Sequence, residues 1–251
     1  MTLAILSALL DEQRGLLEQL VNPQKVKRAG RTFWCGQWDG HDVVLVLTKV
    51  GKVAAATTTT TLIEAFGVTR VLFTGVAGGI GEGVKVGDVV VASAFVQHDM
   101  DSSPLFARYE IPLYGCATFA CDAAMTAMLL EATEAGVAGA GDHFHHQVLI
   151  DSARVHSGLI ASGDRFVSKA EDAASVLADL QAAGFLPLAI EMEGAAVAQV
   201  CRDYGLPFAA VRTISDRADD QAHVDFSAFV NQVASPYALS IVSQFIRLLS
   251  K

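Results

Sequence analysis

Six short apolar runs punctuate the chain, and none of them alternates with polar residues. They are Thr2–Ser7 (TLAILS), 42–48 (DVVLVLT), 70–76 (RVLFTGV), 88–93 (DVVVAS), 157–162 (SGLIAS) and 207–215 (PFAAVRTIS). A strand with one wet face alternates, whereas a strand covered on both faces does not. Helical patterns fill the intervals at 12–20, Lys52–Phe66, 122–135, 169–183, Gly194–Tyr204 and 226–249. Alternating strands and helices predict an α/β fold: three layers, α/β/α, around a mixed, largely parallel central sheet. The 251 residues contain no Pro- or Ser-rich linker and no domain-length repeat, so one domain over 1–251 is expected. The five threonines 57–61 fall inside a helical pattern, where their hydroxyls can bond back to carbonyls one turn earlier.

Hydrophobic residues make up 52% and charged residues 18%, enough to build a large core and leave apolar surface for a partner subunit. A net charge of −9 argues against nucleic acid, which needs clustered cations, and no polybasic run suggests a membrane surface. No apolar run is long enough to span a bilayer. The first residues, MTLAILSALLDEQ, lack a basic start and run into Asp11 and Glu12, unlike a secretory signal. Cys35, Cys116, Cys121 and Cys201 form no CxxC and no zinc spacing with histidine. A cytoplasmic enzyme with reduced thiols, no metal and no cofactor is the expectation.

In parallel sheets, ligands collect at the carboxyl ends of strands. Four such ends carry polar or permissive groups. The first delivers Glu12, a carboxylate that could equally serve a helix N-terminus. The second is FTGVAGGI, whose Gly75, Gly78 and Gly79 permit close backbone approach but match neither a Walker nor a GxGxxG pattern. The third, ASGDRFV, places Phe166 beside a turn, where a ring can stack on a planar ligand or join the core. The fourth, VRTISDRADD, delivers Arg212, Ser215 and Asp216. A fifth segment, LPLAIEMEGAAVAQVC, carries Glu191 and Glu193 into apolar surroundings. Carboxylates are rarely buried without a partner. If the chain stays extended there, both side chains face one side.

The segments AILSALLDEQ, TKVGKVAAA, TGVAGGI, GDVVVAS, SGDRFV, IEMEGAAVAQVC and VRTISDRAD occur in this order along nearly the whole chain. Together they resemble the motifs of the methylthioadenosine/S-adenosylhomocysteine nucleosidases, which have a nucleoside phosphorylase-like fold. The resemblance implies hydrolysis of an N-glycosidic bond, releasing adenine and a thioribose. Position by position, Glu12 resembles the water-activating base and Asp216 the acid at adenine N7. Glu193 resembles the ligand of the ribose hydroxyls, with Met192 against the sugar and Glu191 as a support or second contact. Phe166 and Val167 match the adenine site, and Gly78 lines the pocket. Arg212 and Ser215 match the supports of Glu12, water and Asp216. Such chemistry wants Asp216 protonated and Glu12 ionised, the two pushed apart in pKa, with Arg212 helping Glu12.

The resemblance also implies a homodimer in which the neighbouring subunit completes the pocket. Residues 101–115 are the expected lid over the sulfur substituent, with Phe106, Pro112 and Tyr114 as lining groups. Val76 stands where some members carry a small polar residue. The segment 136–148, with His143, His145 and His146, departs from the family pattern and reads as a surface loop rather than a metal site. An acidic first strand end, without arginine, favours water over phosphate as the nucleophile. The alternatives are a nucleosidase for another purine nucleoside of futalosine type, a phosphorolytic relative, and a non-catalytic nucleoside sensor.

Overall fold

The computed structural model describes residues 1–144, 153–218 and 226–250. Strand β1 (Thr2–Ser7) is followed by two single 3-10 turns, Asp11–Gln13 and Leu17–Gln19. The helix expected over 12–20 therefore does not form. Gly15, at φ +82, breaks its path. Two strands that the apolar runs do not announce come next, β2 (Val21–Arg28) and β3 (Arg31–Trp38), joined as a hairpin pair to β4 (His41–Leu47), the run expected at 42–48. Its turns are Ala29-Gly30 and Asp39-Gly40, all four residues at positive φ, as tight hairpins of this hand require. Then follow α1 (Lys52–Phe66), β5 (Arg70–Gly79), β6 (Val89–Gln97), β7 (Thr118–Ala120) and α2 (Ala123–Phe144). The chain continues through β8 (Val155–Ser162), α3 (Ala170–Ala182), β9 (Pro187–Glu191), α4 (Gly194–Tyr204) and β10 (Phe208–Asp216). It closes with α5 (Phe226–Phe229), a π turn at Val230–Ala234 and α6 (Ser235–Leu248). The π turn leads into Pro236, which has no N–H to continue a regular ladder.

All ten strands form one mixed sheet. β1 pairs in parallel with β4 and β5, and β5 pairs in parallel with β10. β6–β8 and β8–β9 are also parallel. The sheet curls because β5 meets β9 antiparallel at Gly78↔Ile190, while β10 meets β6 antiparallel. Strands β5, β10, β6, β8 and β9 thus close into a small barrel, with β1, β4, β3 and β2 extending as an open wing.

The lack of alternation in β1 has a direct cause. Ala4 and Leu6 join a core with Ala55, Leu62, Val197 and Cys201 of α1 and α4. Leu3 and Ile5 join the opposite core with Met125, Leu129, Ile241 and Phe245 of α2 and α6. Both faces are covered, giving three layers. The threonines behave as expected: Thr57, Thr58, Thr59 and Thr61 donate to the carbonyls of Val53, Ala54, Ala55 and Thr57.

The expected loop at 136–148 is corrected by α2, which runs on through Phe144. Gly136 sits within the helix because α6 crosses there. A Cβ at this position would lie 3.0 Å from the Ile241 Cα and backbone N. His145 and His146 lie outside the described residues. Among the described residues, no helix is long and apolar enough to cross a membrane, and no group of three metal-ligating side chains converges. The four cysteines are free thiols, and burial pushes Cys121 up to about 12.

Candidate active site

The carboxyl ends of β1, β5, β8, β9 and β10 open onto one pocket of about 420 Å³. Glu12, Gly78, Phe166, Val167, Glu191, Met192, Glu193, Ser215 and Asp216 all line it. Arg212 does not. Sequence reasoning missed Ala8, Leu9, Val50, Ile190, Phe226 and Ser227, which contribute further lining. Ala8, Leu9 and Val50 are apolar residues just beyond strand ends, and nothing in their chemistry marks them.

Glu12 is 4% exposed. Its Oε2 accepts the N–H groups of Ala8 (2.7 Å) and Leu9 (2.8 Å), and Oε1 accepts that of Val76 (3.1 Å). The 3-10 turn after β1 aims it, and the C-terminal helical segment holds that turn, since Ser235 Oγ donates to the Asp11 carbonyl. Gly75 leaves the necessary space, because a Cβ there would lie 2.8 Å from Glu12 Oε1. Burial raises the Glu12 pKa. The Leu9 N–H, the Arg212 charge and the Val76 and Ala8 N–H groups offset that only in part. The Arg212 charge does favour the ionised form, as expected, but desolvation outweighs it.

Asp216 is 9% exposed. Its Oδ2 accepts Ser215 Oγ at 2.7 Å and its Oδ1 accepts the Ala218 N–H at 2.7 Å. A bulge between Ile214 and Asp216 shifts the β10–β5 register, so that Asp216 pairs with Gly78 while Ile214 stays in the core. One extra residue in a strand re-aims the side chain that follows. A Cβ on Gly78 would lie 3.0 Å from Asp216 Oδ1.

The two glutamates of EMEG part company. The strand ends at Glu191, and Glu193 has left extended geometry at φ −135, ψ −37. The same-side placement expected of an extended chain therefore does not occur. Glu191 Oε1 accepts from Ser162 Oγ and from the Gly194 N–H (2.9 Å). Its Oε2 accepts the Glu193 N–H (3.1 Å) and Arg212 Nη2 (2.8 Å). It caps α4 and neutralises a buried cation, so it is a structural support.

Arg212 is 1% exposed, with its guanidinium 4.0 Å from the Phe73 ring centroid and Nη1 donating to the Phe73 and Val211 carbonyls. It acts on Glu12 only through its charge, not by contact. Glu193 is left to the pocket. Its Oε1 accepts the Gly51 N–H at 2.8 Å. Burial, then the neighbouring Glu191 charge, raises its pKa to about 8, although Gly51 and Arg212 pull the other way.

Phe166 is 48% exposed at the mouth, beside Arg165, whose Nη2 lies 3.4 Å from Asp172. The lid residues 101–115 contribute nothing to the lining of this pocket within the single chain. Tyr114, expected there, instead donates its hydroxyl to Asp203 at 2.8 Å and packs edge-on against Phe119.

Three buried carboxylates, a half-exposed ring and an apolar wall can hold a planar, hydroxylated ligand and move protons on both sides of it. The chain matches the Phosphorylase superfamily over residues 2–247. It is 34% identical over 250 residues to a 5′-methylthioadenosine/S-adenosylhomocysteine nucleosidase of Shewanella denitrificans, covering 99% of this chain and 100% of the relative. It is 35% identical to an aminodeoxyfutalosine nucleosidase of Helicobacter pylori, covering 94% of each. The crystal structure of a methylthioadenosine/S-adenosylhomocysteine nucleosidase from Neisseria meningitidis, in complex with methylthio-immucillin-A, superposes with a TM-score of 0.84. That pair is 33% identical and covers 98% of this chain and 99% of that one. Agreement of this extent, in sequence and in backbone, means that the chain belongs to the phosphorylase superfamily.

Proposed function

We propose that this chain is a nucleosidase that hydrolyses the N-glycosidic bond of methylthioadenosine and S-adenosylhomocysteine, with Asp216 as the acid and Glu12 as the base. The carrying observation is the convergence of Glu12, Glu193 and Asp216, delivered by three separate strands, on one pocket. In the reaction a water oxygen bonds to the anomeric carbon while the bond to adenine N9 breaks. The bonding electrons leave with adenine, whose N7 takes a proton or strong hydrogen bond from Asp216. Glu12 takes the proton from water. Burial raises its pKa, which makes the ionised form a stronger base. Glu193 holds the ribose hydroxyls by hydrogen bonds. Phe166 stacks on the base, with Val167 beside it and Met192 against the sugar.

Water is the favoured nucleophile because, among the described residues, phosphate finds no free cation inside. Arg212 is engaged by Glu191, and Arg165 at the mouth sits near Asp172. The reading includes one functional unit over the whole chain, in the cytoplasm, and a homodimer. Leu105 and Leu113, 84% and 91% exposed, lie in the lid segment and suit a partner surface.

The test is incubation with methylthioadenosine, with and without phosphate, assayed for free adenine and for the sugar product. Free thioribose, formed without phosphate, supports the reading; thioribose phosphate and strict phosphate dependence overturn it. Aminodeoxyfutalosine is the competing substrate in the same assay. Glu12→Gln and Asp216→Asn should each lose about 10²–10⁴-fold in turnover while keeping the fold.

A further inference from the structure

The Glu193 carboxylate is held by the N–H of Gly51, and the neighbouring residue, Lys52, is a node that the proposed reaction does not use. Lys52 Nζ lies 2.5 Å from Asp99 Oδ1, 3.0 Å from Gln97 Oε1 and 3.8 Å from Asp164 Oδ2, with its side chain only 15% exposed. The Lys52 backbone N–H donates to Asp164 Oδ1 at 2.8 Å. The Asp164 N–H in turn donates to Asp99 Oδ2 at 2.9 Å. Asp164 immediately precedes Arg165, Phe166 and Val167, which line the pocket. Neither Lys52 nor Asp99 lines it. Gly51 is at φ +97, and a Cβ there would lie 3.1 Å from Asp164 Oδ1, so the crossing requires glycine.

We propose that Lys52 and Asp99 are positioning residues: they strap the Gly51 amide that holds Glu193 to the loop that carries Phe166, fixing the distance between the sugar-holding and base-holding halves of the pocket. The inference rests on the nucleosidase reading. Burial alone would raise the Asp99 pKa, but the Lys52 hydrogen bond, the Asp164 N–H and the Lys52 and His98 charges hold it below the ordinary carboxylate range. Asp99 is therefore held as the carboxylate. Glu12 and Asp216 are anchored elsewhere, in the 3-10 turn after β1 and at the end of β10, and do not depend on the strap.

This separation makes the test specific. Loosening the strap makes a nucleoside pay for ordering two or three side chains at binding, a cost of about 5- to 30-fold in KM. Lys52→Met and Asp99→Asn should each raise KM for methylthioadenosine by about that factor, with kcat little changed. The double variant should be no worse than the poorer single, because both break one linkage. Free adenine, which occupies only the base half, should lose affinity by a smaller factor than the nucleoside.

A purely structural role would lower the melting temperature and the active fraction without moving KM. Unchanged KM in both variants, multiplicative effects in the double variant, or equal losses for adenine and nucleoside each overturn the strap. If Lys52→Met does not fold, Asp99→Asn carries the KM and adenine measurements alone. A wild-type chain that releases no adenine from methylthioadenosine overturns the nucleosidase reading and the strap with it. An active wild type with unchanged variants overturns the strap only.

Discussion

Glu193→Gln should stabilise this protein, and the gain should grow with pH. The ordinary carboxyl value is 4.5, and burial with the Glu191 charge raises Glu193 to about 8 in the folded chain. Below pH 4.5 both states carry the proton and no penalty exists. Between 4.5 and about 8 the unfolded chain releases its proton while the folded chain retains it, so stability falls as pH rises. Above about 8 the penalty is complete. At about 1.4 kcal/mol per unit, the whole span is worth about 5 kcal/mol at most. Glu193 is 6% exposed, so solvent screening removes little of this.

The glutamine keeps an oxygen for the Gly51 N–H and has nothing to ionise. Urea denaturation of both proteins at one fixed concentration, in a series from pH 4.5 to 9, isolates the effect in their difference. We expect the variant's advantage to grow by about 3–5 kcal/mol across the series. Parallel profiles would refute the reasoning, because a Glu193 that ionises normally cannot produce a widening gap.

Gly75→Ala places a Cβ 2.8 Å from Glu12 Oε1 and must displace that carboxylate. Turnover should fall by about 10²-fold with an unchanged circular dichroism spectrum, the scale of a misplaced reacting group. Arg212→Met strands Glu191 as an unpaired buried charge and should cost about 3–5 kcal/mol in urea denaturation. Gly136→Ala drives a methyl group against the Ile241 backbone and should cost about 1–3 kcal/mol by the same measurement, leaving KM unaltered.

The parts of the fold legible in the sequence are those whose cause is local or periodic. Helices Lys52–Phe66 and Gly194–Tyr204 stop where glycine stops them, Gly67 and Gly205 at φ 59 and 64. The wing strand β2 was illegible because Val21–Arg28 is mostly exposed, and its sequence carries no burial pattern. Of the hairpin pair only β4 was announced, by the apolar run 42–48; the Asp39-Gly40 turn before it carries turn chemistry rather than hydrophobicity. The 12–20 segment carries helical spacing but lacks a continuous backbone path at Gly15. Gly136 and Gly139 read as loop residues, yet at Gly136 the α6 crossing demands a missing side chain.

In the site, strand ends exposed Glu12, Glu193 and Asp216. The partnership of Glu191 with Arg212 stayed hidden, because it joins the end of β9 to the middle of β10 across a curled sheet. No spacing encodes that contact.

The Glu191–Arg212 contact also explains why the pocket can hold so many acids. A buried ion pair contributes little net stability, since desolvation offsets most of its attraction. Here it removes one carboxylate from the pocket's chemistry and gives Glu12 and Glu193 a cation at a distance, which lowers both without neutralising either. Burial still raises each of them. The empty pocket is thus short of positive charge. A neutral nucleoside binds there without repulsion, and it becomes attractive to the acids only as its ribose turns cation-like. A phosphate dianion would find, among the described residues, no free cation beside those acids. On the proposed reading, buried acids without a paired cation therefore do two things: they favour the positive charge that develops in glycosidic cleavage, and they give the dianion that phosphorolysis needs no cation to bind.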